Sequence, residues 1–211
     1  VYGMNFVTNG PLSWNKEYWV AGQNKGDSGH GTHVAGTVAA VNNNGKGVAG
    51  IAGGSGKGDG VRLMSCQIFS GEDMNKTGSA VAIARAIRYA ADMGAAIIQC
   101  SYGYSSGRFG SDNQYTSLSS LEKEAIDYFT KHKSNCAALS YGNLAIFASG
   151  NDAAPQSAYP GAYRDYISVT AFAPNFMPAY YTNFGPGCNI AAPGGDYLMA
   201  VDKSRTSSQV L

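Results

Sequence analysis

The chain has 211 residues, 44% of them apolar, and 15 Lys and Arg stand against 14 Asp and Glu for a formal net charge of +1. So even a balance leaves no electrostatic footprint for nucleic acid and no basic face for an anionic bilayer. No run approaches the ~20 consecutive apolar residues of a membrane span, so nucleic acid and membrane are excluded as partners and the size fits one α/β domain around a single core.

With 28 Gly, 14 Tyr and only 14% charged residues, the composition suits tight turns and polar aromatic loops and leans toward a protein exported from the cell. The opening Val1-Tyr2-Gly3-Met4-Asn5 lacks the basic-then-apolar order of a targeting peptide. Cys66, Cys100, Cys136 and Cys188 are widely spaced with no C-x-x-C pair, which argues against metal or redox chemistry. Cys66 and Cys100 lie in apolar runs and read as buried thiols.

In chain order, the small and β-branched residues of Thr32 to Val41 predict a helix starting at or just beyond His30 and ended by Asn42-Asn43-Asn44-Gly45. Residues 61–69, short, apolar and flanked by Gly, predict a buried strand. Ile83, Ala84, Ile87, Ala90 and Ala91 recur at helical spacing over 79–93, with Gly94 as the stop. Residues 95–100 read as the next buried strand, so strand, helix and strand make a βαβ unit with a right-handed crossover in a parallel sheet. Residues 102–117, polar and rich in Gly and aromatics, read as a long surface loop. An amphipathic helix is expected over 118–133 with Leu121, Ala125, Tyr128 and Phe129 inward, followed by strands at 144–148, 166–172 and 189–192. With no repeat and no interdomain linker, the expectation is a single α/β three-layer domain whose active-site groups lie at the carboxyl ends of strands.

The stretch Gly26-Asp27-Ser28-Gly29-His30-Gly31-Thr32-His33-Val34-Ala35-Gly36 holds two incompatible signatures. If Ser28 were the nucleophile of a trypsin-like loop, a catalytic His should precede it, yet there is no His before residue 30. That fold is also all-β, against the helix-strand alternation here. The segment His30 to Ala40 instead resembles the histidine segment of the subtilisin-like serine proteases. The resemblance continues in order through "GVAGIAGG" (47–54), "SYG" (101–103), "ASGN" (148–151), "YPGAY" (159–163), "NFGP" (183–186) and "AAPGG" (191–195).

The resemblance implies the fold of that family with a mainly parallel sheet, and roles for particular residues. His30, at a helix start, would take the proton of a serine hydroxyl and return it to the leaving amine. Asn151 would donate to the developing oxyanion, a contribution of roughly 2.7–4 kcal/mol to the barrier. Ser101-Tyr102-Gly103 and Ala148-Ser149-Gly150 would wall the pocket for the side chain before the scissile bond, narrowed by Tyr102 and Tyr104. A peptide would add as a strand along the first of these segments. His33, with no Glu in an H-E-x-x-H pattern, is structural rather than a metal ligand.

The family also needs an Asp and a Ser. Projected from His30 and Asn151 with the spacing of subtilisin, they fall about two positions before Val1 and about six beyond Leu211. Asp27 has no preceding apolar strand, and Ser207 and Ser208 lack the surrounding Gly-Thr-Ser-Met-Ala-x-Pro, so neither is expected to substitute. The expectation is an incomplete peptidase domain over 1–211, truncated at both ends and inactive alone, with exposed apolar surface that favours oligomers. Its partner would be a peptide or protein substrate, and its location extracellular, cell-surface or periplasmic.

No cofactor is required. The resemblance places a calcium loop at 41–50, where carbonyls and an Asn oxygen would hold the ion, but the upstream acidic ligand is missing and a Gly-Lys insertion departs from the usual spacing. The competing reading is a non-catalytic relative that keeps the groove as a peptide-binding scaffold. A nucleotide-binding domain is set aside, because Gly53-Gly54-Ser55-Gly56-Lys57-Gly58 lacks the phosphate-loop spacing and precedes a strand instead of a helix.

Overall fold

A computed structural model describes residues 3–14, 29–71 and 76–196. Asp27, Ser28, Ser207 and Ser208 lie outside the described residues. The chain divides into two compact units, Val1–Met93 and Gly94–Leu211.

In the first unit, β1 (Met4–Asn5) pairs in parallel with β2 (Cys66–Gln67), Met4 opposite Cys66 and Asn5 opposite Gln67. The strand expected over 61–69 contracts to these two residues, and Val61, Leu63 and Phe69 are exposed instead of buried. The reason is the partner. Asn5 turns the chain back, its Oδ1 accepting from the N–H groups of Val7 (2.9 Å) and Thr8 (3.2 Å), so β1 offers a two-residue edge and the ladder is no longer than that. Among the described residues of the first unit β2 therefore pairs with β1.

Helix α1 (His30–Ala39) starts where the sequence suggests, without a side-chain cap at Gly29 and with none of its residues buried. The returning loop holds its C-terminal end: Gly50 N–H donates to Ala40 O (2.9 Å), Ile51 N–H to Thr37 O (3.0 Å) and Ala52 N–H to Val38 O (2.8 Å). Gly50 and Gly53 lie so close to the backbone of Ala39 and Ala40 that a Cβ at either position would overlap it. Helix α2 (Ala80–Asp92) begins at Ser79, whose Oγ accepts from Ala82 N–H (3.2 Å), satisfying one orphan donor of the first turn. It buries Ala82, Ile83, Ala86, Ile87, Ala90 and Ala91, and Ala82 and Ala86 pack on Phe6, Met4, Cys66, Ile68 and Tyr89. Gly94 follows at φ +81°, the left-handed stop its type predicts.

The second unit is built on a parallel sheet in the order β3 (Ile97–Cys100), β4 (Leu144–Ala148), β5 (Ile167–Phe172) and β6 (Ile190–Pro193). Between β3 and β4 run α3 (Asp112–Leu118) and α4 (Ser120–Lys131). α3 corrects the expected surface loop at 102–117. Ser111 Oγ accepts from Gln114 N–H (3.3 Å) while Gln114 Oε1 accepts from Gly110 N–H (2.6 Å), a reciprocal cap that nucleates the helix. Phe109 and Tyr115 are buried there, Phe109 edge-on to Tyr104 and Tyr159 and Tyr115 stacked on Tyr159 and tilted against Tyr163.

The inward face of α4 is also shifted. Ala125, Ile126 and Phe129 are fully buried, while Leu121 (44% exposed) and Tyr128 (36%) face outward. That face, continued one turn back, carries Glu122 into the core. Its Oε2 accepts from Tyr115 OH (3.1 Å) and Ser119 OH (3.4 Å), and burial pushes its carboxyl above the ordinary range. The fold is α/β with parallel sheets. Among the described residues no helix is long and apolar enough to cross a membrane.

Candidate active site

Adjacent parallel strands β3 and β4 release the chain at the same end of the sheet, with Cys100 opposite Phe147. Segment 101–105 after β3 and segment 148–152 after β4 then face each other across a cleft of about 210 Å³. Its lining contains Ser101, Tyr102, Gly103, Tyr104, Ala148, Gly150 and Asn151, all named from the sequence, together with Ser105, Asp152 and Ala158. Ser149 is the exception: it is 2% exposed and absent from the lining, its side chain turned inward, so it contributes backbone alone.

The first wall is fixed by Tyr104 N–H donating to Tyr159 O (2.9 Å), and Gly103 passes so near that oxygen that an added Cβ would lie 3.0 Å from it. Tyr102 packs edge-on against Phe147, with ring centroids 6.1 Å apart. Its hydroxyl is buried beside Glu122 without reaching hydrogen-bond geometry, and burial raises its pKa well above the usual tyrosine value. Tyr104 OH is 2.6 Å from Ser119 Oγ, and burial raises its pKa too.

The second wall continues the β4–β5 ladder by one bond, Ser149 N–H to Val169 O (2.9 Å). Gly150 then adopts φ +110°, a conformation that disfavours any residue with a Cβ. Asn151 follows, exposed at the cleft. The Asp152 carboxylate accepts from Ser106 N–H (2.8 Å), which holds its pKa below the usual range, so it stays ionised at the cleft mouth.

His30 opens α1 in the first unit and is exposed. His33 lies one turn on, and Thr37 Oγ1 donates to its carbonyl (3.1 Å). Among the described residues no three His, Cys, Asp or Glu side chains gather as a metal site. All four cysteines are free: Cys100 is buried, Cys66 and Cys188 are half-buried and Cys136 is exposed. Burial pushes the Cys66 thiol up to about 11.

The profile of the Subtilase family, peptidase S8, matches residues 4–210. The chain belongs to the subtilase family. Among curated relatives, this subtilase is 31% identical over 176 residues to a thermophilic serine proteinase of Bacillus sp. (strain AK1), covering 83% of this chain and 37% of the relative. It is 34% identical over 182 residues to an extracellular protease of Xanthomonas campestris pv. campestris, covering 85% of this chain and 28% of that one. A solved protease from Pseudoalteromonas arctica PAMC 21717 superposes with a TM-score of 0.62 at 26% identity, over 94% of this chain and 55% of the other. The subtilase chain thus spans well under half the length of these curated relatives.

Residues that sequence reasoning missed are Ser105, Asp152 and Ala158 in the lining and, behind it, Asn183. The signal for Asp152 was present, directly after Asn151. Ala158 reaches the cleft, and Asn183 the loop behind it, only through the fold.

Proposed function

We propose that this chain is the core of a subtilisin-like serine endopeptidase. The observation that carries the reading is the cleft at the carboxyl ends of β3 and β4, which unites the two wall segments with Asn151. An extended peptide pairs its backbone along 101–103, next to the outer strand of the four-stranded sheet, and places the side chain before its scissile bond between the walls. Asn151 donates its amide N–H to the oxyanion as a serine hydroxyl adds to the carbonyl. His30 removes the hydroxyl proton and delivers it to the departing amine, leaving an acyl-enzyme that water hydrolyses by the same steps.

Neither an Asp-Ser/Thr-Gly after an apolar strand nor a Gly-Thr-Ser-Met-Ala stretch occurs among the 211 residues. The proposal therefore assigns the triad Asp and Ser to residues outside this stretch, treats the stretch as one incomplete peptidase domain, and expects no turnover from it alone. The single family match running through both units supports that treatment, and likeness to an extracellular protease supports export. Substrates are peptides or proteins. Asn42 Oδ1, a buried oxygen without a hydrogen-bond partner, sits in the loop assigned to calcium. One neutral oxygen is far short of the six to eight ligands of a calcium site, and no step depends on it.

The test is stoichiometric labelling by a fluorophosphonate probe. The full-length gene product is expected to react and to cleave a peptide, and the 211-residue polypeptide to do neither. If neither polypeptide reacts, the groove is one that binds peptides without a nucleophile.

A further inference from the structure

Asn183 lies at the start of the "NFGP" stretch, thirty-two residues after Asn151, and is fully buried. A carboxamide has two N–H donors and an oxygen with two lone pairs, and here all four are used. Nδ2 donates to Ser149 O (2.9 Å) and to Ser106 Oγ (2.6 Å), while Oδ1 accepts from the backbone N–H groups of Asp152 (2.9 Å) and Ala154 (3.1 Å). The two backbone donors on Oδ1 fix which way the amide faces. The backbone N–H of Asn183 adds a fifth bond, to Gly150 O (3.1 Å).

These partners bracket one residue. Ser149 and Gly150 precede Asn151, and Asp152 and Ala154 follow it, yet Asn151 makes no hydrogen bond of its own among the described residues. The place of its side chain is inherited from its neighbours. Asn183 is itself anchored, since its carbonyl accepts from Thr170 Oγ1 of β5 (2.7 Å). The missing Cβ of Gly150 leaves the room that the Asn183 amide occupies. Through Ser106, whose N–H binds the Asp152 carboxylate (2.8 Å), the same amide ties the loop beyond the first wall to the second.

We infer that Asn183 is a positioning residue: it fixes the 149–154 loop, and through it the Asn151 side chain, in the geometry the developing oxyanion requires. The inference rests on the peptidase reading above. An oxyanion donor acts through preorganisation, so a loop free to shift by about 1 Å costs on the order of 10²-fold in rate.

Asn183→Ala and Asn183→Asp would be made in the full-length gene product, alone and combined with Asn151→Ala. The aspartate keeps the shape and the acceptor while removing both donors. Each single Asn183 variant is expected to lose roughly 10²-fold in kcat with KM within about threefold, and to cost less than about threefold once Asn151 is already alanine. Hydrogen exchange at the Asp152 and Ala154 amides is expected to speed up about tenfold or more in the alanine variant. Losses that multiply in the double variants, or amide protection that is unchanged, overturn the inference. If the alanine variant does not fold, Asn183→Asp, which removes the amide donors, and Ser106→Ala, which removes the acceptor of one of them, carry the same cycle, with exchange read at the same amides. A wild-type protein that fails to react with fluorophosphonate overturns the peptidase reading instead. The exchange result then decides by itself whether Asn183 holds the loop.

Discussion

His30 begins a ten-residue helix in which no side chain is buried and no side chain caps the first turn, whereas Asn151 follows a strand and is bracketed by four hydrogen bonds to one fully buried residue, Asn183. The helix is held from its far end, by backbone bonds from Gly50, Ile51 and Ala52. Under the proposed roles His30 passes a proton and Asn151 presents a fixed dipole, and it is the second that depends on a rigid mount. The sequence motif is long and legible around His30 and short around Asn151, the reverse of how firmly each region is built.

The sharpest break of this comparison is kinetic. In the full-length protein His30→Ala is expected to lower kcat by about 10⁶, as loss of the triad histidine does in subtilisin. Asn151→Ala is expected to lower it by about 10²–10³ with little change in KM. Steady-state kinetics on both variants check this, and equal losses would remove the distinction between a proton carrier and a dipole. Next in size is the mount of α1. Gly53→Ala forces a Cβ into the Ala40 carbonyl and is expected to cost roughly 1–3 kcal/mol in a urea melt, while leaving exchange at Asp152 and Ala154 untouched.

The smallest effect lies beneath the cleft, at Glu122. Its raised pKa means that the folded chain binds more protons than the unfolded one across the window from the ordinary glutamate range up to the raised value. Stability therefore falls as pH rises through that window. Glu122→Gln keeps the hydrogen-bonding shape without the ionisation. Its thermal midpoint should match the parent's near pH 4 and exceed it by pH 8; a variant that is relatively less stable at high pH would contradict a neutral buried carboxyl.

Glu122 also marks where reading the sequence stopped. Apolar content favoured Leu121 and Tyr128 as the inward residues of α4, but the face through Ala125, Ile126 and Phe129 continues to 122 whatever stands there. Tyr115 and Ser119 donate to this carboxylic acid beside Tyr102 and Tyr104, and all three tyrosines come from the stretch read as a loop. In that stretch glycine and polarity decided the reading, and the Ser111 and Gln114 cap that starts α3 emerged only from the structure. β4 was legible to the residue because Leu144 to Ala148 is a short apolar run paired on both sides. β2 was not, because its length is set by a partner more than sixty residues upstream. The cleft walls followed from motifs at the ends of β3 and β4, but the role of Asn183 did not, since its side-chain partners lie 29 to 77 residues away.

The shared parallel register of β3 and β4 turns the sheet into a ruler. Both walls leave from neighbouring strands at the same level, Cys100 opposite Phe147, so the gap between their roots is set by the spacing of about 4.8 Å between hydrogen-bonded strands. Within the excursion that follows the first wall, Ser106 bonds the second wall and Phe109 is buried, which leaves the exposed residues 107 and 108 as the positions that can be lengthened without moving that floor. Under the proposed function, selectivity for a side chain and the dimensions of the seat are separate variables, and loops grafted at 107–108 with Ser106 retained would vary the first at constant second.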